Sequence, residues 1–201
     1  MDLIAGDTQG NVTVFLNTGT KEKPVLADGI RLEANGKPIA AKSNKLADVY
    51  SKIHVADWND DGLPDLLVGH NDTIILYRNA GTRSAPRFSE PARVQIPQGR
   101  FPSRPSPYVV DWDGDGKKDL LVGSEESKVF FYRNVGTNQE PRLARGTTLA
   151  LKGPSKRDAG YRWRLDVTDW NNDGKKDLLV GNFYSAGEKD YGGNVWLFLG
   201  E

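Results

Sequence analysis

Three stretches of the sequence concentrate side chains that carry oxygen atoms: DWNDDGLPDLLVG, DWDGDGKKDLLVG and DWNNDGKKDLLVG, beginning at residues 57, 111 and 169. Positions 1, 3, 5 and 9 of each stretch are Asp or Asn, and position 6 is Gly. Oxygen atoms at alternate positions of a tight loop can converge on a hard cation such as Ca²⁺, which takes six to eight oxygen ligands. Because carboxylates crowded this closely would otherwise repel one another, the sequence predicts three calcium sites.

The predicted ligands are the side chains at positions 1, 3, 5 and 9 and the backbone carbonyl at position 7, which varies between Leu and Lys. They are Asp57, Asn59, Asp61, Leu63 and Asp65; Asp111, Asp113, Asp115, Lys117 and Asp119; and Asp169, Asn171, Asp173, Lys175 and Asp177. Position 12 is Val in all three stretches, whereas an EF-hand loop closes there with a bidentate Glu. The ninth Asp is therefore expected to close each site. The alternative is an Asp-Gly-rich hairpin turn that binds no metal.

The same stretches belong to an internal repeat. The ninth Asp recurs at Asp65, Asp119 and Asp177, and the opening DLIAG matches this landmark at Asp2. The motifs FLNTG, YRNAG and YRNVG place an Asn 15, 14 and 15 residues after Asp2, Asp65 and Asp119. The repeat predicts units at 1–52, 53–106, 107–160 and 161–201, with strands two to four of a blade in the first and strands one to three in the last.

The pattern within each unit predicts an all-β fold. Short runs rich in Val, Leu, Phe and Tyr alternate with Asp-Gly and Gly-Thr turns, as in a four-stranded antiparallel meander. Runs such as DLLVG are apolar on both faces, so each small sheet must be covered on both sides. We therefore predict a β-propeller, a partial ring of about 3.5 blades. Trp58, Trp112 and Trp170 are interpreted as packing between blades, with stacking on a ligand as the alternative.

The motif D-W-[ND]-x-D-G-x-x-D-L-L-V-G followed by Y-R-N-x-G-T resembles the FG-GAP or VCBS repeat, the calcium-binding blade of integrin-α-type propellers and of many bacterial secreted proteins. The resemblance implies a propeller in which the calcium loop joins the first and second strands of a blade. It also implies a role in adhesion or ligand binding, sometimes beside carbohydrate-active enzymes. Only the ninth position is present at Asp2, so no fourth site is inferred.

Two segments are candidates for ligand binding. In the last unit, 23 residues separate the ninth Asp from the position of the landmark Asn, and the eight extra residues lie in NFYSAGEKDYGGN. Phe183, Tyr184 and Tyr191 could stack on a sugar there, with Glu188, Lys189 and Asp190 beside them, unless the loop folds onto its own aromatic residues. In GYRWRLDV, strand alternation places Arg162 and Arg164 on the face opposite Tyr161, Trp163 and Leu165. These arginines could bind a carboxylate or sulfate, or pair with acids of the blade.

Composition narrows the function classes. The 27 basic and 27 acidic residues balance, but ten of the acids lie at odd positions of the three loops. If cations neutralise these ten, the remaining surface is basic and favours an acidic glycan, the alternative being an ordinary solvated surface.

No Cys, G-x-S-x-G, H-E-x-x-H or P-loop motif is present in the sequence. We expect no nucleic-acid partner, because basic residues are scattered, and no membrane span, because no apolar run is long enough.

The resulting expectation is a non-catalytic, calcium-binding propeller module that binds a glycan or protein. An extracellular, cell-surface or periplasmic location is expected, although no signal peptide is present, because loops without a twelfth-position Glu need calcium above cytosolic levels. The alternatives are an accessory or catalytic part of a carbohydrate-active enzyme, such as a polysaccharide lyase or hydrolase, and a purely structural repeat fragment. The expected partner for the open blade faces is the remainder of a larger propeller or another copy of the chain.

Overall fold

The computed structural model describes residues 2–40, 50–151, 160–185 and 191–200. All the regular elements in these ranges are β-strands, as the sequence predicts. In the described ranges no helix is long and apolar enough to cross a membrane.

The strands form four antiparallel sheets arranged as the blades of a β-propeller. Blade 1 contains β1 (Leu3–Gly6), β2 (Val12–Phe15) and β3 (Ile30–Arg31), followed by a small hairpin of β4 (Glu33–Ala34) and β5 (Lys37–Pro38). Blade 2 contains β6 (Lys52–Ala56), β7 (Asp65–His70), β8 (Thr73–Tyr77) and β9 (Ala92–Arg93). Blade 3 contains β10 (Ser106–Val110), β11 (Asp119–Gly123), β12 (Val129–Tyr132) and β13 (Thr147–Thr148). Blade 4 contains β14 (Tyr161–Thr168), β15 (Asp177–Ser185) and β17 (Val195–Phe198), and β16 (Tyr191–Gly192) pairs with the far end of β15.

The acidic stretches connect the first strand of a blade to the second. In blade 2, Ala56 at the end of β6 pairs with Asp65 at the start of β7. Val110 pairs with Asp119 in the same way in blade 3. Each acidic loop is therefore a closed hairpin connection, as the family resemblance implies.

Consecutive blades pack through the two faces of their second strands, because side chains alternate between the faces of a strand. In β7, Leu66 and Val68 pack in a cluster with Val12 of blade 1, whereas Leu67 packs in a cluster with Leu120 of blade 3. This explains why DLLVG is apolar throughout, since both faces are covered.

The burial of the three tryptophans depends on whether another blade follows their own. Trp58 is 4% exposed and packs against blade 3, and Trp112 packs against the cluster formed by blades 3 and 4. Their interpretation as residues between blades agrees with this packing. Trp170 of blade 4 is 60% exposed, because no described residue forms a blade beyond it.

The glycine that ends each DLLVG-type run allows the next blade to approach closely, a role that the sequence alone did not indicate. A methyl group added at three of these glycines would overlap a backbone carbonyl oxygen of the next blade: Gly6 with Ser51, Gly69 with Pro105, and Gly123 with Trp163. A methyl group at Gly181 in blade 4 would meet no atom within 4 Å. The backbones of neighbouring blades are thus in contact at these glycines.

Candidate functional site

The three acidic loops adopt one backbone conformation. At position 4, Asp60, Gly114 and Asn172 have φ angles of 60°, 77° and 58°, and at position 6 the three glycines have φ angles of 83° to 85°. Left-handed backbone is easiest for Gly and is tolerated by Asn and Asp, which are the residue types found at these positions. The recurrent sequence therefore specifies a recurrent loop.

The first Asp of each loop holds the turn. Asp57 accepts hydrogen bonds from the backbone N–H groups of Asp61 (3.1 Å) and Gly62 (2.9 Å), and Asp169 accepts the equivalent bonds from Asp173 and Gly174. Asp111 accepts from Gly114 and Gly116 instead. These bonds draw the loop around the first carboxylate.

In each loop the backbone N–H group of position 7 donates a hydrogen bond to the Asp side chain at position 5. The N–H groups of Leu63, Lys117 and Lys175 donate to the carboxylates of the aspartates two residues earlier, at 2.8 to 3.0 Å. Hydrogen bonds from Asn59 and Leu63 lower the pKa of Asp61, because they favour its charged form. In loop 3, a hydrogen bond from the Lys175 N–H similarly lowers the pKa of Asp173.

The second loop brings three carboxylates together. One oxygen from each of Asp111, Asp113 and Asp115 lies within 4.8 Å of the others. Arg133 offsets part of this charge, with its Nε 2.7 Å from Asp113 and its Nη2 3.0 Å from Asp115. Such a concentration of negative oxygen donors fits a divalent cation that prefers oxygen ligands.

The first loop passes a separate test of fit. The Nδ2 of Asn59 donates to Asp61, whereas its Oδ1 is buried and accepts no hydrogen bond from any residue in the described ranges. A buried acceptor without a donor is costly unless a cation or other group satisfies it. Position 3 therefore presents a free oxygen atom where the sequence predicts a calcium ligand.

The ninth Asp of each loop is fully buried and ties two parts of the blade together. Both oxygen atoms of Asp65 accept backbone hydrogen bonds, Oδ2 from the N–H of Trp58 (3.1 Å) and Oδ1 from that of Asn79 (2.8 Å). Asp119 and Asp177 make the same pair of bonds, to Trp112 and Asn134 and to Trp170 and Gly200. Burial, together with the charges of Asp61 and Asp57, raises the pKa of Asp65. A nearby cation would oppose that shift.

The landmark Asn locks the turn that follows it. Oδ1 of Asn134 accepts from the N–H groups of Gly136 (2.9 Å) and Arg142 (3.0 Å), and its Nδ2 donates to the carbonyl of Thr137 (3.0 Å). Asn79 makes the equivalent three bonds in blade 2. The fixed spacing between the ninth Asp and this Asn was the signal of their contact, although sequence reasoning assigned neither residue this role.

The insertion in blade 4 is a strand extension and a hairpin, in place of the predicted loop. It lengthens β15 to Ser185, and Tyr184 pairs with Gly192 of β16. The rings of Phe183 and Tyr191 stack with centroids 6.3 Å apart, and Tyr191 is 62% exposed. The insertion thus packs partly on its own aromatic residues, while Glu188, Lys189 and Asp190 lie outside the described ranges.

The alternation predicted for GYRWRLDV is interrupted. A register shift occurs between Tyr161 and Arg164, and Arg162 has a φ angle of 61°. As a result, Tyr161 is exposed while Trp163 is buried, so the two do not share one face as predicted. Such a bulge redirects the side chains of the bulged strand. Arg162 lies with its guanidinium carbon 5.1 Å from the ring centre of Phe183, which joins the two predicted ligand segments.

A separate open cleft of about 450 Å³ lies between the outer parts of blades 2 and 3. Trp58, Arg78 and Arg142 are among its lining residues. None of the ligand-binding candidates of blade 4 borders this cleft.

The comparison with protein-family models agrees with this architecture. The family model described as FG-GAP-like repeat matches residues 57–122 and 111–180, which together span more than half of the sequence. The chain therefore belongs to the FG-GAP-like repeat family. No curated protein matches the sequence.

One similar solved structure is the Tc holotoxin pore of Photorhabdus luminescens, which carries a mutation in TccC3. The similarity has 18% sequence identity and a TM-score of 0.47, and it covers 96% of this chain and 8% of that chain. This chain therefore spans only a small part of the length of the chain that it matches.

Proposed function

We propose that this chain is a calcium-binding propeller module that binds a glycan or protein outside the cytoplasm and catalyses no reaction. The observation that supports the metal most directly is the shared loop conformation, with three carboxylates within 4.8 Å in loop 2 and the unsatisfied Asn59 oxygen in loop 1. The side chains at positions 1, 3, 5 and 9 and the carbonyl at position 7 would hold the ion.

Calcium would neutralise the carboxylates and fix the connection between the first two strands of blades 2, 3 and 4. The ninth Asp would connect the fixed loop to the outer part of the blade, because its carboxylate also accepts a hydrogen bond from the N–H group of Asn79, Asn134 or Gly200. In this proposal calcium stabilises the scaffold and contacts no ligand.

Ligand binding is assigned to blade 4. Phe183, Tyr184 and Tyr191 offer aromatic rings, and Arg162 offers positive charge beside Phe183. Arg164, which donates to the carbonyls of Arg162 and Trp163, adds a second positive charge on the same strand. Aromatic rings that are at least partly exposed, beside an arginine, suit a sugar that carries an acidic group, because the ring faces stack on the sugar while the guanidinium group binds the anion.

The test is binding of the folded chain to an array of neutral and acidic glycans, with calcium and after chelation. Calcium-dependent capture of acidic glycans, lost in Arg162→Met but retained in the exposed control Arg31→Met, is the expected result. Absence of binding to every glycan by folded, calcium-loaded protein would contradict glycan recognition. Release of shortened products from a polysaccharide would overturn the non-catalytic assignment and favour a lyase or hydrolase.

We further propose that the uncovered face of blade 4 packs against another blade, supplied by a second copy or by a larger propeller. This face exposes Trp170 (60%) and Val195 (74%), whereas the equivalent Trp58 is buried by the next blade. Multi-angle light scattering should show concentration-dependent association of the isolated chain, weakened by Trp170→Ser. A monomer at all concentrations, with wild-type behaviour equal to that of the variant, would contradict packing between copies.

A further inference from the structure

A group of cationic side chains lies at the end of the propeller opposite the acidic loops. Lys52 and Arg164 lie near the starts of β6 and β14, and Arg104 lies just before β10. The acidic loops follow the other ends of these same first strands. Arg162 and Glu125 complete the group, which we call the basic cluster: Lys52, Arg104, Glu125, Arg162 and Arg164.

One carboxylate in the basic cluster faces four cations. The Oε1 of Glu125 contacts Arg104 Nη1 at 3.2 Å and Arg162 Nε at 3.4 Å. The Tyr50 ring lies beneath three of the cations, 5.3 Å from Lys52 Nζ and 4.9 Å and 5.6 Å from the guanidinium carbons of Arg104 and Arg162. The excess of positive charge is therefore local and concentrated.

Lys52 shows that this charge is incompletely compensated by the described residues. Lys52 is 5% exposed, and its Nζ makes no hydrogen bond within the described ranges. An ammonium group carries three donors, and burying them unpaired is costly. Burial, with the charges of Arg164 and Arg104, lowers the pKa of Lys52 to about 7. A purely structural lysine at this position would be expected to have a partner.

Glu125 adds a buried hydrogen-bond acceptor, its Oε2 atom, to the basic cluster. Its Oε2 is buried and receives no hydrogen bond from residues that the structure describes, although Oε1 contacts two arginines. An approaching hydroxyl group could donate to Oε2. The basic cluster thus combines donors for an anion with an acceptor for a hydroxyl group.

Exposure increases towards the aromatic pair of blade 4. The side chains of Arg104, Glu125 and Arg162 are 15%, 27% and 36% exposed. Arg162 also contacts the ring of Phe183, which stacks on Tyr191. A sugar stacked on these rings would therefore have its substituents close to the mouth of the basic cluster.

We propose that the basic cluster binds the anionic group of an acidic saccharide, a uronate carboxylate or a sulfate ester, with a neighbouring hydroxyl group donating to Glu125. Naming a saccharide rests on the proposed glycan-binding function, but the excess charge and the unpaired Lys52 do not. Arg162 meets the anion at the mouth, Lys52 supplies its unpaired donors, and Arg104 and Arg164 supply charge around them.

The test is calorimetric titration of the full chain at saturating calcium with glucuronate, glucose 6-sulfate and glucose. The charged sugars should bind and glucose should not, and the preference between the two charged sugars identifies the natural anion. Lys52→Met and Arg162→Met should each weaken binding by about tenfold or more. The exposed control Lys37→Met should leave binding unchanged.

Two results would overturn the basic cluster as a binding site: equal affinity for glucose and the charged sugars, or unchanged affinity in both folded variants. Lys52→Met is expected to fold, because it removes a buried charge, and Arg162→Met affects a partly exposed side chain. Calcium binding is measured separately on the same protein. Absence of anion binding with calcium retained therefore rejects the anion site and leaves the metal proposal intact, whereas failure to bind calcium rejects the metal proposal alone.

Discussion

At the scale of single residues, the ninth Asp and the landmark Asn form a connection that is repeated from blade to blade. A buried carboxylate joins the loop after the first strand to the turn after the third, and the Asn then satisfies three backbone groups of that turn. Buried polar groups are tolerated when they are fully hydrogen bonded, and this pair meets that condition. Asp65 and Asn79 are therefore structural residues whether or not a metal is bound nearby.

Asn134→Ala should lower the free energy of unfolding by about 2 to 3 kcal/mol, because it empties the site of a buried side chain and leaves partly buried backbone groups of Gly136 and Arg142 without partners. Asn17→Ala is the matched control. Asn17 makes equivalent bonds in blade 1, but they are exposed, so water can replace the side chain and the loss should be about 1 kcal/mol or less. Urea denaturation measures both, and equal losses would contradict burial as the cause.

Lys52 predicts a pH dependence of stability. Its pKa is lowered to about 7 in the folded protein from 10.5, so between these values the unfolded chain binds more protons than the folded one. Stability should therefore rise with pH from 7 to 9, with a slope of up to about 1.4 kcal/mol per pH unit. Urea denaturation at fixed calcium should show this slope in the wild type and a flatter curve in Lys52→Met. The same slope in the variant would show that another group is responsible.

The sequence predicted some of these residues and not others for a physical reason. The proposed metal ligands are neighbours in sequence, so spacing alone brings Asp111, Asp113 and Asp115 together. Lys52, Arg104 and Glu125 come from different units or connections, and only the packing of the blades places them together. No local pattern marks such a cluster.

At the scale of strands and loops, the contact between blades depends on the glycine at the end of the second strand. Gly123→Ala would force a methyl group against the Trp163 carbonyl and should cost about 2 to 3 kcal/mol, because the backbones of blades 3 and 4 must separate. Gly181→Ala is the control at the equivalent position of blade 4, where space is open, and should change stability by less than about 0.5 kcal/mol. Thermal and urea unfolding measure the difference, and similar losses would contradict the contact.

The strands themselves were predictable, because apolar runs, turn residues and the repeat all indicated the same sheets. The two errors lie where backbone pairing overrides the local pattern. The insertion in blade 4 is predicted to be a loop because it is rich in Gly, yet Tyr184 and Ser185 pair with β16. Alternation fails in β14 because the bulge at Arg162 changes the direction of its neighbours.

At the scale of the whole molecule, a net charge of zero conceals two opposite ends. The acidic loops gather at one end of the first strands, and the basic cluster gathers at the other. A composition average cannot reveal this separation, but the register of the strands does. Calcium at the acidic end and an anion at the basic end would each neutralise the charge of its own end.

The central claim is that the three loops bind calcium, and counting bound ions tests it most directly. Native mass spectrometry with calorimetric titration should find three calcium ions per chain, and two in Asp115→Ala. The control Asp60→Asn should keep three, because Asp60 lies at an even position and pairs with Lys118. Excess chelator should lower the melting temperature, since the loop carboxylates would then repel one another. A chain that binds no calcium, with an unchanged melting curve in excess chelator, would contradict the metal assignment.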